Sequence, residues 1–190
     1  KNELRPGKQH SQKGMPEFLD KSFSMLGKLK LKHPVLLRLD AAHDAEINFD
    51  HLPAEHYFII KRNLRRESPE QWLAFARRTG RQLKSREGKN VFIGEAHHKY
   101  PGNNEERPVI PVSYKVTERL TDIYGNQLLI PEIEVATYWT NLPLEAQDII
   151  ALYQDHGTSE QFHSELKSDM NVERLPSGKF ATNQLYLNCA

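Results

Sequence analysis

The stretch HPVLLRLDA, residues 33–41, decides the fold. Its central run VLLRL is short, mainly apolar and preceded by Pro34, which predicts a β-strand buried on both faces. Asp40 follows at the C-terminal end of this strand, where ligand and catalytic groups gather in open α/β sheets. A polar residue in this place is also typical of a simple turn. Position alone therefore leaves both interpretations of Asp40 open.

Helical and strand patterns alternate on both sides of this strand. Pro16 opens a predicted helix over residues 15–29, because proline is favoured in the first helical turn. Residues 41–52 predict the helix that follows the strand, and HYFIIKRN predicts a second short buried strand. SPEQWLAFARRTGR, residues 68–81, predicts a well-capped helix that begins after Ser68.

A β-rich stretch comes next. In VIPVSYKVT, residues 109–117, apolar and polar residues alternate, which predicts a strand with one buried face. Gly125-Asn126 predicts a hairpin turn, and a last strand runs into Trp139. PLEAQDIIALY then predicts a helix, with Asn141 as its cap. This order of elements predicts an α/β fold with an inserted β-sheet.

Charge is distributed unevenly along the chain. The net charge of the 190 residues is only +1, but residues 61–89 contain ten Lys or Arg against three Glu. A local excess of this kind suggests an anionic partner. The alternative is a solvated helix face, which is the usual explanation of a charge run.

Composition excludes several classes of protein. Cys189 is the only cysteine, so no internal disulfide is possible, and a reducing cytoplasmic location is expected. The longest apolar runs are only a few residues, too short to span a membrane. No P-loop, G-x-S-x-G or H-E-x-x-H motif is present, and the nine histidines lack zinc-ligand spacing.

A second pattern lies in ALYQDHGTSEQFHSELKSDMNVERLP, residues 151–176. Tyr153, His156, Glu160 and Lys167 have the spacing Y-x2-H-x3-E-x6-K. Glu160 and Lys167 are seven residues apart, so they share one face of a helix. Taken alone, Glu160 would be a first-turn acid that complements the helix dipole, worth about 0.3–1 kcal/mol. Lys167 alone would be a surface lysine.

This spacing resembles the Y-x2-R-x3-E-x6-K signature of IS4-type transposases, with His156 in place of the arginine. The longer phrase from Tyr153 to Asn183 resembles the IS1380 group, and so do QHSQKGMPEFL and LRLDAAHDA. The resemblance implies an RNase H-like core, incomplete at its N-terminus, with a β-rich insertion between the second and third catalytic acids. The implied divisions are residues 1–60 for part of the core, 61–139 for the insertion, and 140–190 for the C-terminal helices of the core.

The resemblance also implies metal-dependent DNA cleavage and strand transfer by a DDE site. Asp40 is then the second acid and Glu160 the third, and both are expected to be catalytic ligands of Mg²⁺ or Mn²⁺ in a two-metal site. Asp44 is expected to be a neighbour that supports the metal site or contacts DNA. Glu165 is the rival third acid, but it does not match the signature.

The family's first Asp lies on a strand upstream of anything present here. Both ends of the chain look cut, so we expect a fragment that holds two of the three acids and is inactive, or nearly so, by itself.

DNA contacts are expected from the signature and from the basic segment. His156 binds phosphate less reliably than the arginine it replaces, because arginine stays charged and binds bidentately. Phosphate contacts from the basic segment would give affinity for DNA without sequence specificity. The predicted DNA-binding residues are Tyr153, His156, Lys167, Arg65, Arg66, Arg77 and Arg78.

Two other functions remain open. One is a catalytically dead, DNA-binding remnant of a transposable element, and the other is a metal-dependent nuclease that cuts without joining. An Asp-bearing strand encoded just upstream would separate the remnant from the transposase. The partners implied by the resemblance are transposon ends and target DNA, and since such enzymes usually act on paired ends, a homodimer of the intact enzyme. No membrane partner is expected.

Overall fold

The computed structural model describes residues 12–99, 108–155, 164–165, 168 and 174–189. The helices in these ranges are α1 (Met15–Lys28), α2 (Glu46–Phe49), α3 (Pro69–Thr79), α4 (Ala146–Gln154) and α5 (Phe180–Cys189), with a 3-10 turn at Ala41–His43. The strands are β1 (Leu36–Leu39), β2 (Tyr57–Lys61), β3 (Arg81–Leu83), β4 (Lys89–Lys99), β5 (Val109–Thr121) and β6 (Gln127–Thr140).

The six strands form one sheet in the order β1-β2-β6-β5-β4-β3. β1 and β2 are parallel, and every other neighbouring pair is antiparallel. The mixed α/β class predicted from the sequence is therefore confirmed. The expected divisions at 60/61 and 139/140 fall where β2 pairs with the end of β6, Ile60 opposite Trp139 and Lys61 opposite Tyr138. The division into core and insertion stays a prediction.

Helices cover both faces of the sheet. On the α3 face, Trp72, Leu73 and Ala76 pack on Tyr114 and Val116. Phe49 of α2 joins the same face, where it packs on Phe58, Ile60 and Trp139. On the opposite α4 face, Ile149 and Ile150 pack on Ile59, Ile93 and Tyr138.

Three local predictions are confirmed. Ser68 caps α3, because its hydroxyl oxygen accepts hydrogen bonds from the backbone N–H groups of Glu70 and Gln71. Gly125 makes the β5–β6 turn with a positive φ of 89°, and the Asp122 carboxylate accepts from the backbone amides of Tyr124 and Asn126. The helix predicted over 15–29 is α1.

The prediction that the 35–39 strand is buried on both faces is wrong. All four residues of β1 are half-buried. The reason is that β1 lies at the edge of the sheet, with only β2 beside it.

The helix predicted over 41–52 is also wrong as a continuous element. It divides into the 3-10 turn and α2, because Ala45 is extended, with φ −137° and ψ 140°. Tertiary contacts of the Asp44 side chain hold the chain at this break, as described below. Local propensity is overridden by these contacts.

Asn141 is not the cap of α4. The helix begins after Glu145, without a side-chain cap. The Asn141 side chain instead accepts from the amide of Phe58 at 2.8 Å and donates to the carbonyl of His56 at 2.9 Å. It therefore connects the end of β6 to the start of β2.

Candidate functional site at the end of strand β1

Asp40 follows the last residue of β1, as predicted. Leu39 pairs with Ile60, so Asp40 and Lys61 lie side by side at the same edge of the parallel pair. The Asp40 side chain is 68% exposed. One carboxylate oxygen accepts a 3.0 Å hydrogen bond from the amide of Ala42 and caps the 3-10 turn. Asp40 thus does begin a turn, and its carboxylate remains exposed to solvent.

Arg38 joins β1 to the end of α4. Its Nη1 donates hydrogen bonds of 2.8 Å to the carbonyl oxygens of both Leu152 and Asp155. The carbonyls at a helix C-terminus have no partner within the helix. Arg38 supplies these partners although it lies 114 residues from Leu152 and 117 from Asp155 in sequence. It is also only two residues before Asp40. The C-terminus of α4 is therefore fixed next to the end of β1.

Tyr153 lies between the core and the Asp40 edge. Its half-buried ring contacts Tyr138 with a centroid distance of 4.7 Å. Burial, followed by the negative charge of Asp40, raises the pKa of Tyr153, and Arg38 acts in the opposite direction. Burial likewise raises the pKa of Tyr138 to about 12. Tyr153 is thus both a packing residue and an electrostatic neighbour of Asp40.

A cavity of about 430 Å³ opens on the α4 face beside these residues. Tyr138, Tyr153 and Gln154 line one part of it. Four cationic side chains also line it: Lys61, Lys89, Lys115 and Arg119.

Sequence reasoning missed this cationic face. The signal was the polar half of the alternation in β5, where Ser113, Lys115, Thr117 and Arg119 share one side.

Arg65 and Arg77, two of the four predicted DNA-binding arginines, are engaged within the protein. Arg77 donates to both carboxylate oxygens of buried Glu118 at 2.7 and 2.8 Å. Burial of Glu118 tends to raise its pKa, but the bonds from Arg77 and Asn90 outweigh burial and lower it. Arg65 donates to the carbonyl of Asp44 at 2.9 Å.

Arg66 and Arg78 are exposed, and Arg78 lies 6.0 Å from the ring centroid of Phe75. α3, with Arg77 and Arg78 in its last turn, covers the sheet face opposite the cationic cavity. DNA binding by all four arginines stays a prediction.

Asp44 is a buried connector. Its carboxylate accepts from the amide of Asn63 at 2.8 Å and from the indole Nε1 of Trp139 at 3.0 Å. Its side chain is only 3% exposed. Strand β6 and the segment that follows β2 are thus tied to the segment that follows Asp40. A role of Asp44 in supporting the metal site stays a prediction.

His98 belongs to a cluster of packed side chains on the α3 face. Its ring stacks on Trp72 with a centroid distance of 5.7 Å, and the Trp72 indole donates to Glu67 at 2.8 Å. Burial, followed by the positive charge of Arg62, lowers the pKa of His98, while Glu67 acts in the opposite direction. Within the described ranges, no group of three His, Cys, Asp or Glu side chains is placed to hold a metal ion.

Three members of the signature, His156, Glu160 and Lys167, lie outside the described residues. Of the quartet, the structure therefore describes Tyr153 alone. Glu165, the rival acid, is exposed.

A comparison of the chain with models of known protein families shows which family it belongs to. The family model described as "Transposase DDE domain" matches residues 1–189. The chain belongs to the transposase DDE domain family. No curated protein matches this transposase domain significantly. Among its described residues, no helix is long and apolar enough to cross a membrane.

Proposed function

We propose that this transposase domain cuts and joins DNA strands by metal-dependent phosphoryl transfer at a DDE site. Asp40 is the second acid and Glu160 the third, and the first Asp of the site is missing from this chain. The domain is of the IS4 type and the IS1380 group, with an RNase H-like core and an insertion over residues 61–139. The family match supports DNA as the substrate, and the spacing of the signature supports the finer assignment.

One observation carries the pairing of Asp40 with Glu160. Arg38 holds the carbonyl of Asp155 beside the end of β1, and Glu160 follows only five residues later. Five residues span at most roughly 18 Å even when fully extended. Glu160 is thus within chain reach of Asp40, although the two are 120 residues apart in sequence.

Asp40 fits the proposed metal. Mg²⁺ and Mn²⁺ prefer hard oxygen ligands, and Mg²⁺ keeps several waters, so few carboxylates suffice. Asp40 offers an exposed carboxylate at a strand end, with one oxygen positioned by Ala42. When bound, a pair of such ions activates the attacking water or 3′-hydroxyl and stabilises the leaving oxygen.

The remaining signature residues would serve the DNA. Lys167 would place an ammonium group beside phosphate on the Glu160 face of the helix. Tyr153 would contact the DNA end with the exposed part of its ring, and His156 would contact phosphate. Arg65, Arg66, Arg77 and Arg78 would contribute sequence-independent phosphate contacts. The intact enzyme would act in the cytoplasm on transposon ends and target DNA, as a homodimer.

The proposal is tested by plasmid nicking and strand transfer with Mg²⁺ or Mn²⁺, using the chain extended upstream through the strand that bears the first acid. Metal-dependent nicking and joining in the wild type support a transposase. Nicking without joining would point to the nuclease. DNA binding without metal-dependent nicking would favour the dead remnant.

A further inference from the structure

We propose that the cavity on the α4 face binds the phosphate backbone of the DNA strand that reaches Asp40, through Lys61, Lys89 and Lys115. We call this feature the lysine cavity. The inference rests on the proposed function, because it takes DNA as the substrate. It assigns phosphate contacts to three residues that lie outside the signature, and one of them, Lys115 on β5, also lies outside the charge run at residues 61–89.

Strand register brings the three lysines to one side of the sheet. Lys61 pairs with Tyr138, and Tyr138 pairs with Ser113, two residues before Lys115. Lys89 pairs with Arg119, four residues after Lys115. Side chains two or four residues apart on a strand point to the same face. The three lysine side chains therefore form a row on one face of the sheet, which runs from β2 across β6 to β5 and β4.

The charge balance in this row favours an anion. Arg119 is also present, but Glu134 at 2.7 Å and Glu132 at 3.3 Å occupy its guanidinium. Across the described part of the chain, no carboxylate lies within 4.0 Å of the Lys61, Lys89 or Lys115 ammonium groups. Four cationic side chains and the Glu134 carboxylate line the cavity, so an excess of positive charge faces it.

The row begins at the candidate catalytic acid. Lys61 ends β2 next to Asp40, and Tyr153, whose pKa responds to the charge of Asp40, lines the same cavity. A strand held along the lysines would thus run directly to the exposed carboxylate. The arginines of α3 lie on the other side of the sheet and do not share this path.

The rest of the lining suits a backbone rather than bases. Thr117, Ala136 and Gln154 line it beside the rings of Tyr138 and Tyr153. The Glu134 carboxylate, which also lines it, is bonded to Arg119 at 2.7 Å. Lysine acts as a point charge toward phosphate, without the bidentate geometry that arginine offers. Contacts of this kind position DNA but carry no sequence information. We therefore expect affinity without sequence preference from the lysine cavity.

The test measures binding of a fluorescent duplex of about 30 base pairs, by anisotropy, over about 50 to 300 mM salt. The cavity variant carries Lys61→Gln, Lys89→Gln and Lys115→Gln. The matched control carries Lys21→Gln, Lys28→Gln and Lys32→Gln, which remove the same charge from exposed positions on α1 and just beyond it. Thermal unfolding by circular dichroism checks that both variants fold, and the three single cavity variants replace the triple if it does not.

We expect the cavity variant to bind at least about tenfold more weakly than the control near 0.1 M salt. The slope of log Kd against log salt should fall by about 0.9 for each phosphate group that the variant no longer neutralises. Equal effects of the two triple variants, or an unchanged slope in the cavity variant, would overturn the assignment. Competition by inorganic phosphate at the same concentration as the DNA phosphates would also overturn it, because the site would then be a small-anion pocket.

Failure of this inference can be told apart from failure of the proposed function. Metal-dependent nicking that is lost in Asp40→Asn, together with normal DNA binding by the cavity variant, would reject the lysine cavity alone. A wild type that neither nicks nor binds the duplex would reject both. Weak binding by the cavity variant, with full binding by the control, supports the cavity whatever the nicking assay gives.

Discussion

Arg38 of β1 donates a 2.8 Å hydrogen bond to the carbonyl oxygen of Asp155, the residue that follows α4. The same Nη1 donates to the Leu152 carbonyl at an equal distance. These bonds connect the strand that ends at Asp40 with the segment that leads to Glu160. In the proposed site, Arg38 is therefore a positioning residue, because it holds the end of α4, five residues before Glu160, against the end of β1.

Replacing Arg38 by Met should remove both bonds and keep most of the side-chain volume. We expect strand cleavage to fall at least about tenfold, because small displacements of positioned groups are costly to catalysis. The concentration of Mg²⁺ needed for half-maximal cleavage should also rise. Partial unfolding alone would lower the amount of active protein without changing this concentration for the molecules that stay folded. Arg38→Lys should recover part of the activity, since an ammonium group still donates to a carbonyl. An unchanged Mg²⁺ dependence in Arg38→Met would contradict the positioning role.

Arg77 and Arg78 are adjacent in the last turn of α3 but should behave differently. Arg77→Ala leaves the carboxylate of buried Glu118 without its main partner, so the free energy of unfolding should fall by about 1–3 kcal/mol. Arg78→Ala should change it by less than about 0.5 kcal/mol, as is usual for an exposed side chain. Urea unfolding of the two variants at neutral pH makes the comparison. Equal losses would mean that the Arg77–Glu118 pair contributes nothing specific.

Asp44 should prove to be structural. Asp44→Ala leaves the buried Trp139 indole and the Asn63 amide without an acceptor, which should lower the free energy of unfolding by about 2–5 kcal/mol. Asp44→Asn keeps one acceptor oxygen and should lose less. Asp50→Ala, at an exposed acid just beyond α2, is the control. If Asp44→Asn stays folded but loses metal-dependent cleavage, Asp44 is itself a ligand and its supporting assignment fails.

His98 should make stability depend on pH. Burial lowers the pKa of His98 in the folded protein below its ordinary value of 6.5. As the pH falls through 6.5, the unfolded chain binds a proton that the folded chain does not, so the free energy of unfolding decreases. His98→Phe keeps the stacking on Trp72 and removes the proton. The decrease between about pH 7.5 and about pH 5.5 should be smaller in His98→Phe than in the wild type. Replacement of an exposed histidine that precedes β1, His33→Phe, should leave the wild-type decrease in place.

Local chemistry made parts of the fold predictable from the sequence. The Ser68-Pro69-Glu70 start of α3 and the Gly125 turn depend on residues within a few positions of each other. The run before Asp40 likewise identified a strand and the acid at its end. Each of these features depends on neighbouring residues in the sequence, so it could be predicted from a short segment.

The missed features depend on residues far apart in the chain. The break at Asp44 is held by Trp139, 95 residues away, and Asn141 bonds to a residue 83 positions earlier. The lysine cavity exists because pairing registers bring three strands together, which no single segment encodes. The alternation in β5 revealed its buried face, but not that its polar face would meet the end of α4.

The most direct test of the account compares metal-dependent plasmid nicking by the upstream-extended chain with that of four single variants. Asp40→Asn and Glu160→Gln replace the proposed ligands. Asp50→Asn and Glu165→Gln are the matched controls, one at an exposed acid just beyond α2 and the other at the rival third acid. We predict that both ligand variants lose nicking while they fold and bind DNA, and that both controls keep it. Nicking that survives Glu160→Gln but is lost in Glu165→Gln would contradict the assignment of the third acid.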